Sequence, residues 1–185
     1  MSLPLRRGLF EVVPESDGVL VERARAGDER AFAQLYRRHA RYLAGVVYRM
    51  MGDELELDDV VQDTFVALRD QLHELREPEH VRPWIVRVAV RLSRKRLERR
   101  RRRSRLLAWQ PPPPVASDPA IDHELRALFQ ALATLPPELR IAWTLNKMEG
   151  ETLPRVAELC ETSLATVKRR IAEAERRLAR RLGGD

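Results

Sequence analysis

The sequence predicts an all-α protein of two small helical lobes joined by a proline-rich segment. Three observations carry this. Apolar residues recur at spacings of three and four through most of the chain, the period of a helix with one buried face. No segment shows the sustained alternation of a half-buried strand bounded by turns. Four consecutive prolines, Pro111 to Pro114, interrupt the pattern and cannot continue a helix. The expected division is a tail over 1–16, a first lobe over 17–103, a linker over 104–120 and a second lobe over 121–185.

In the first lobe, Gly27-Asp28 reads as a stop followed by a cap. Phe32, Leu35, Tyr36, Leu43, Val46, Val47 and Met50 then mark a long helix ending at Gly52. Val61, Phe65, Leu68, Leu72 and Leu75 repeat at four, three, four and three, an amphipathic helix broken by Glu77-Pro78-Glu79-His80. A third helix begins near Pro83, whose fixed φ suits a first turn, with Trp84, Val88 and Leu92 as its apolar side. The prolines favour extended geometry, so the linker is a spacer of tens of ångströms, either a simple tether or a segment lying in a partner's channel. In the second lobe, Leu125, Leu128, Phe129 and Leu132 form one helix. Leu135-Pro136-Pro137 starts the next, carrying Ile141, Trp143 and Leu145.

The stretch 150–182 reads as two helices joined by a tight turn. Thr152 caps the first, Pro154 sits harmlessly in its first turn, and Val156, Leu159 and Cys160 face inward. Glu161-Thr162 forms the turn. A glycine is common there, so Glu161 is expected in a less favourable backbone conformation. Ser163 caps the second helix, and Leu164, Val167, Ile171, Ala174 and Leu178 form its apolar stripe. Lys168, Arg169, Arg170, Arg176 and Arg177 lie off that stripe. Such a pair can set a basic second helix in a DNA major groove; a helical hairpin with a solvated cationic face fits the same spacing.

Composition narrows the function. Of 185 residues, 44 % are apolar, enough for packed cores, and the net charge of +6 favours a polyanionic partner. Aromatics are only 5 %, against a single-strand binder built from stacking platforms. The single Cys160 excludes an internal disulfide, and four scattered histidines give no metal-ligand spacing. No long uncharged apolar run predicts direct membrane insertion, and the N-terminus lacks a signal peptide's apolar core, which predicts a cytoplasmic protein. No nucleophile–base pair, paired catalytic carboxylates, phosphate loop or metal set can be assembled, so no enzyme and no cofactor is expected.

Charge is segregated. Residues 53–63 hold six acids and no base; residues 82–105 hold twelve bases and one acid, Glu98. Five consecutive arginines, Arg99 to Arg103, repel one another in an isolated helix, a cost that a bound polyanion offsets. Asp53, Glu54, Asp58 and Asp59 suit a helix N-terminus. Gln62 and Asp63 on the outer face make an acidic surface suited to a basic protein partner.

In their order, these motifs resemble the small extracytoplasmic-function (ECF) group of bacterial RNA polymerase sigma factors. Asp28-ERAFAQLYRRH resembles the opening helix of sigma domain 2, and Asp58-DVVQDTFVAL the motif that docks on the polymerase clamp. Arg82-PWIVRVAVRLSRKRLERRRR resembles the helix that reads and opens the −10 element. Leu135-PPELRIAWTL and the helix-turn-helix resemble sigma domain 4, which reads the −35 element.

The resemblance implies a promoter-specificity subunit that binds core RNA polymerase and promoter DNA, with an anti-sigma factor as a further partner. It places Asp58, Asp59, Gln62 and Asp63 on the polymerase. It places Arg155, Ser163, Thr166, Lys168, Arg169, Arg170 and Glu173 at the −35 element, Glu173 as an acceptor for a cytosine amino group. Arg87, Arg91, Arg94, Lys95 and Arg99, with the rest of the arginine run, grip DNA around −10, and the loop from Leu75 to Val81 cradles an unstacked base. Where the family often carries Asn and Asp in the −10 helix, this chain has Arg91 and Lys95, which adds phosphate affinity. Trp84 matches a family aromatic, but its stripe position assigns it to the core. A stand-alone helix-turn-helix regulator is the rival reading; it predicts specific duplex binding without polymerase.

Overall fold

A computed structural model describes residues 15–106 and 123–183. Most of the predicted tail and linker (1–14 and 107–120) lies outside the described residues. Eight α-helices account for most of the described residues, and no strand occurs among them.

α1 (Asp17–Arg25) is capped by Ser16, whose hydroxyl accepts from the Val19 amide. The Asp28 carboxylate caps α2 (Glu29–Met51) by accepting from the amides of Arg30 and Ala31, and Gly52 ends it at φ 71°, the left-handed conformation that suits glycine. Both ends of α2 fall where the sequence places them. α3 (Leu57–Gln71) buries Val61, Phe65 and Leu68. Leu72 and Leu75 continue its apolar stripe, but through a 3₁₀ turn over Leu72–Glu74 rather than further α-helix. After a second 3₁₀ turn, Pro78–His80, α4 (Val81–Leu106) begins with Pro83 in its first turn and runs three residues past the predicted end of the lobe.

Two side-chain expectations need correction. α4 is apolar on more of its surface than Trp84, Val88 and Leu92. Val81, Ile85 and Ala89 are fully buried, as are Val86 and Val90 on a second stripe, whereas Trp84 and Leu92 are half-buried at the edge of the core. Tyr36 is 44 % exposed; its ring leans on Phe65, the centroids 4.7 Å apart.

The second lobe contains α5 (His123–Ala133), α6 (Pro137–Trp143), α7 (Leu153–Leu159) and α8 (Leu164–Leu182). α6 continues into a π-helical turn over Thr144–Met148, closed by the Glu149 amide donating to the Thr144 carbonyl at 3.1 Å. In α8, Val167, Ile171, Ala174 and Leu178 are buried as the spacing predicts, but Leu164 is 40 % exposed because it sits in the first turn, above the packing face. Leu125 is likewise 39 % exposed at the start of α5.

The second apolar stripe of α4 has a destination: the two lobes are packed together. α6, α7 and the π-turn lie on α2 and α4. One core runs from Leu20, Leu43 and Ile85 in the first lobe to Ile141, Leu145, Val156 and Leu159 in the second. A smaller core of Phe129, Leu132, Leu139 and Leu178 receives Tyr48 from α2, whose ring meets Phe129 edge-on at 5.8 Å.

Polar contacts also cross the seam. The Arg49 guanidinium donates twice to the Glu149 carboxylate, Nη2 to Oε2 at 2.9 Å and Nε to Oε1. Arg140 is 4 % exposed and lies over Gly52, where a Cβ would meet its guanidinium. Its Nε and one Nη have no hydrogen-bond partner among the described residues. Burial pushes Arg140 down to about 10, against the pull of Asp53 and with the push of Arg100.

Candidate nucleic-acid interface

The cations of α4 divide by helical phase. Arg87, Arg91, Lys95 and Arg99 are exposed and follow one another every four residues, so they form a single ridge on one side of the helix. None makes an ion pair or side-chain hydrogen bond with another described residue. Arg94, expected with them, is half-buried near Cys160 and Arg170 at the seam.

Arg96 and Arg100 lie one position further round and turn inward to α3. Arg96 donates to Asp63 at 2.6 Å, Glu56 at 3.1 Å and Asp59 at 3.3 Å; Arg100 donates to Glu56 at 2.8 Å and to Asp53. Arg100 therefore stands apart from its neighbours in the arginine run: it holds the acidic start of α3 against α4. Burial opposes the charge of Glu56, but hydrogen bonds and charge from Arg100 and Arg96 outweigh it and hold the carboxyl below its usual range.

The four residues expected to face the polymerase, Asp58, Asp59, Gln62 and Asp63, share the exposed face of α3, which Val66, 51 % exposed, extends. They are not equivalent. Asp59 and Asp63 already carry Arg96, whereas Asp58 and Gln62 make no such contact with described residues.

The helix-turn-helix is built as the sequence indicates. The Thr152 and Ser163 hydroxyls cap α7 and α8, Ser163 accepting from the Thr166 amide at 3.2 Å. Glu161 takes φ 52°, the left-handed conformation that glycine supplies without strain, and it is the only non-glycine residue with positive φ among those described. Lys168 and Arg169 are exposed near the N-terminal end of α8, the part of a recognition helix that reaches base edges. Arg169 leans on the Thr166 hydroxyl at 3.4 Å. Thr166, Arg169, Arg170 and Glu173 line a groove of about 490 Å³ against Glu138 and Leu139 of α6.

Two of the residues expected at the −35 element have ion-pair partners of their own. Glu173 accepts from both Arg177 and Arg176, and those bonds hold its carboxyl below the usual range. Arg155 pairs with Glu158 and lines a cleft of about 320 Å³ at the seam, with Tyr42, Arg82 and Glu151. Sequence reasoning missed Arg49, Arg140 and Glu149. A second apolar stripe on α4 was the available signal that this helix has a second neighbour.

The loop between α3 and α4 presents His73, Glu74, Arg76, Glu77, Glu79 and His80 to solvent, with Leu72 and Leu75 buried behind them. Among the described residues no group of histidine, cysteine or carboxylate side chains could hold a metal, and no helix is long and apolar enough to cross a membrane.

The chain matches the family models for Sigma-70 region 2 over residues 35–103 and for Sigma-70, region 4 over residues 125–178. It is 33 % identical over 168 residues to the ECF RNA polymerase sigma factor SigM of Mycobacterium tuberculosis, covering 91 % of this chain and 85 % of that one. It is 31 % identical to the RNA polymerase sigma factor NccH of Alcaligenes xylosoxydans xylosoxydans, over 89 % of this chain and 94 % of that one. Among solved structures, CnrH in complex with the cytosolic domain of CnrY aligns with a TM-score of 0.66 and 31 % identity, over 92 % of this chain and 99 % of that one. RpoE of Bartonella quintana, solved with the anti-sigma factor NepR, shares the fold at a TM-score of 0.61 and 19 % identity, over 83 % of this chain and 98 % of that one.

Proposed function

We propose a division of labour for this chain, which belongs to the ECF group of RNA polymerase sigma factors. It is a promoter-specificity subunit. The exposed acids of α3 dock on core polymerase, the ridge Arg87, Arg91, Lys95 and Arg99 holds DNA at the −10 element, and Lys168 and Arg169 enter the −35 major groove. It acts through binding, without catalytic chemistry of its own, in the cytoplasm where its polymerase is.

The division of cations on α4 carries this reading. Arg96 and Arg100 are engaged by α3 and leave an acidic face on one side, while four cations with no ion pair among the described residues stand on the other. Free cations at a regular spacing favour a phosphate backbone, and each contact that neutralises a phosphate strengthens binding by releasing a counterion.

The packed lobes bear on how both elements are reached. α4 rests on α7 and α7 on α8, so the two reading helices are within roughly two helix spacings, ~20 Å. Elements named for positions about 25 base pairs apart are separated by ~85 Å along B-form DNA, at ~3.4 Å per base pair. The closed arrangement therefore cannot span them, and the lobes separate on the promoter. Residues 107–122 reach at most about 55 Å when fully extended, which together with the lobes' own width makes the separation feasible. CnrH is solved bound to the cytosolic domain of CnrY; an anti-sigma partner of that kind, gripping the closed form, fits this chain.

The test is Asp58→Arg in a binding assay with purified core polymerase. Asp63→Arg also repels Arg96 and confuses docking with folding; Asp58 has no such partner. The expected result is lost polymerase binding with an unchanged melting curve. Undiminished binding would remove α3 from the docking surface.

A further inference from the structure

We propose that α1 positions the loop that takes the unstacked −10 base, through Arg25 and through the contact of Ser16 and Gly18 with Glu79, and so sets which base is accepted. This rests on the sigma reading above, in which the loop between α3 and α4 cradles that base.

The loop is held at both ends by one helix. At its start, Arg25 donates from Nε to the Leu72 carbonyl at 2.9 Å and from Nη2 to the Leu75 carbonyl. Its side chain is 19 % exposed and is braced by Glu22 at 2.6 Å. One planar guanidinium thus fixes two carbonyls three residues apart, a geometry that lysine cannot reproduce. At the end of the loop, the Ser16 hydroxyl donates to the Glu79 carboxylate at 2.7 Å. That carboxylate lies flat on Gly18: a Cβ there would stand 2.2 Å from its oxygen.

The clamp is itself rigidly mounted. Asp17 accepts from Arg38 at 2.6 Å and pairs with buried His39 at 2.9 Å, while Arg38 also donates to the Glu15 carbonyl at 2.8 Å. Leu20 and Val21 of α1 are fully buried in the core. The loop is therefore held from α1 in addition to its own turn bonds, Leu75 N–H to the Leu72 carbonyl and His80 N–H to the Glu77 carbonyl. A pocket that discriminates bases must be held to a fraction of an ångström.

The experiment uses holoenzyme assembled from core polymerase and the full chain, with promoters carrying each of the four bases at each −10 position. Transcript ratios give the base preference; a wrong base typically costs roughly 5- to 150-fold. Arg25→Ala is expected to bring the ratio at one position towards one, with −35 preference and polymerase affinity unchanged. Arg25→Lys should recover it only in part, and Gly18→Ala should shift it by displacing Glu79. Uniform loss on all promoters, or an unchanged profile with Arg25→Lys and Gly18→Ala, overturns the positioning role. Arg76→Ala and Glu77→Ala separate the two levels. If they change the profile and the α1 variants do not, only the positioning role falls. If neither set changes it, the loop reads no base and the reading beneath falls with it.

Discussion

Replacing Arg49 by alanine tests whether the lobes meet as described. In the closed protein the Glu149 side chain is 7 % exposed and receives two bonds from Arg49, which is 33 % exposed. Removing the guanidinium leaves a carboxylate with little water and no counter-charge. Breaking a fully buried pair costs about 3–5 kcal/mol; because water can enter from the exposed side of Arg49, about 2–3 kcal/mol is expected here. At ~2–4 °C per kcal/mol for a chain of this size, the melting temperature falls by roughly 5–10 °C. Calorimetry reads the shift in the transition that includes the seam. Arg49→Glu with Glu149→Arg should recover a large part of the loss. A cycle with Arg49→Ala and Glu149→Gln should show coupling of about 1 kcal/mol or more. Losses that add to within ~0.5 kcal/mol would mean that the two side chains do not meet, and the seam would be wrong.

Three further outcomes are expected. Glu161→Gly relieves a left-handed residue that costs roughly 1–2 kcal/mol, against about 0.5–1 kcal/mol of added chain freedom, so the urea midpoint should rise; a fall would deny the strain at φ 52°. Glu56 is held below its unfolded value by Arg100 and Arg96 despite burial, so its contribution is complete above the ordinary carboxylate range and is lost as pH falls through its folded value. Glu56→Gln should then flatten the acid limb of a stability–pH curve, and an unchanged slope would contradict it. Cys160, 5 % exposed and pushed up to about 11 by burial, should resist alkylation at neutral pH until the protein unfolds; rapid labelling of the native chain would contradict its burial.

What the sequence revealed was what short-range chemistry decides. Asp28 and Gly52 bound α2 because a cap needs only a carboxylate beside free amides and a residue tolerant of positive φ. Val167, Ile171, Ala174 and Leu178 phase α8 unambiguously, and the absence of glycine at the turn foretold the left-handed Glu161. Harder to see was which arginine in a run of five does what. Arg99 and Arg100 are neighbours in sequence, yet the 100° step of the helix sends one to solvent and the other to Asp53 and Glu56. Acids at helical spacing on one side, Glu56, Asp59 and Asp63, against Arg96 and Arg100 four apart on the other, were the legible hint. The seam involves Val86, which looks like an ordinary core residue until Leu159 and Arg155 of the second lobe are set beside it. The role of Glu149 depended on a π-turn that no local residue preference signals. The partners of Glu173 were visible in the sequence: arginines three and four residues on can reach back to it.

The central claim, that this chain confers promoter recognition on core RNA polymerase, is tested most directly by transcription reconstituted from purified components on a pool of genomic promoters. The account predicts transcripts from a subset of promoters only when the chain is added, and their loss with Asp58→Arg. No transcript from any promoter, together with tight binding of the free chain to one duplex operator, would contradict it.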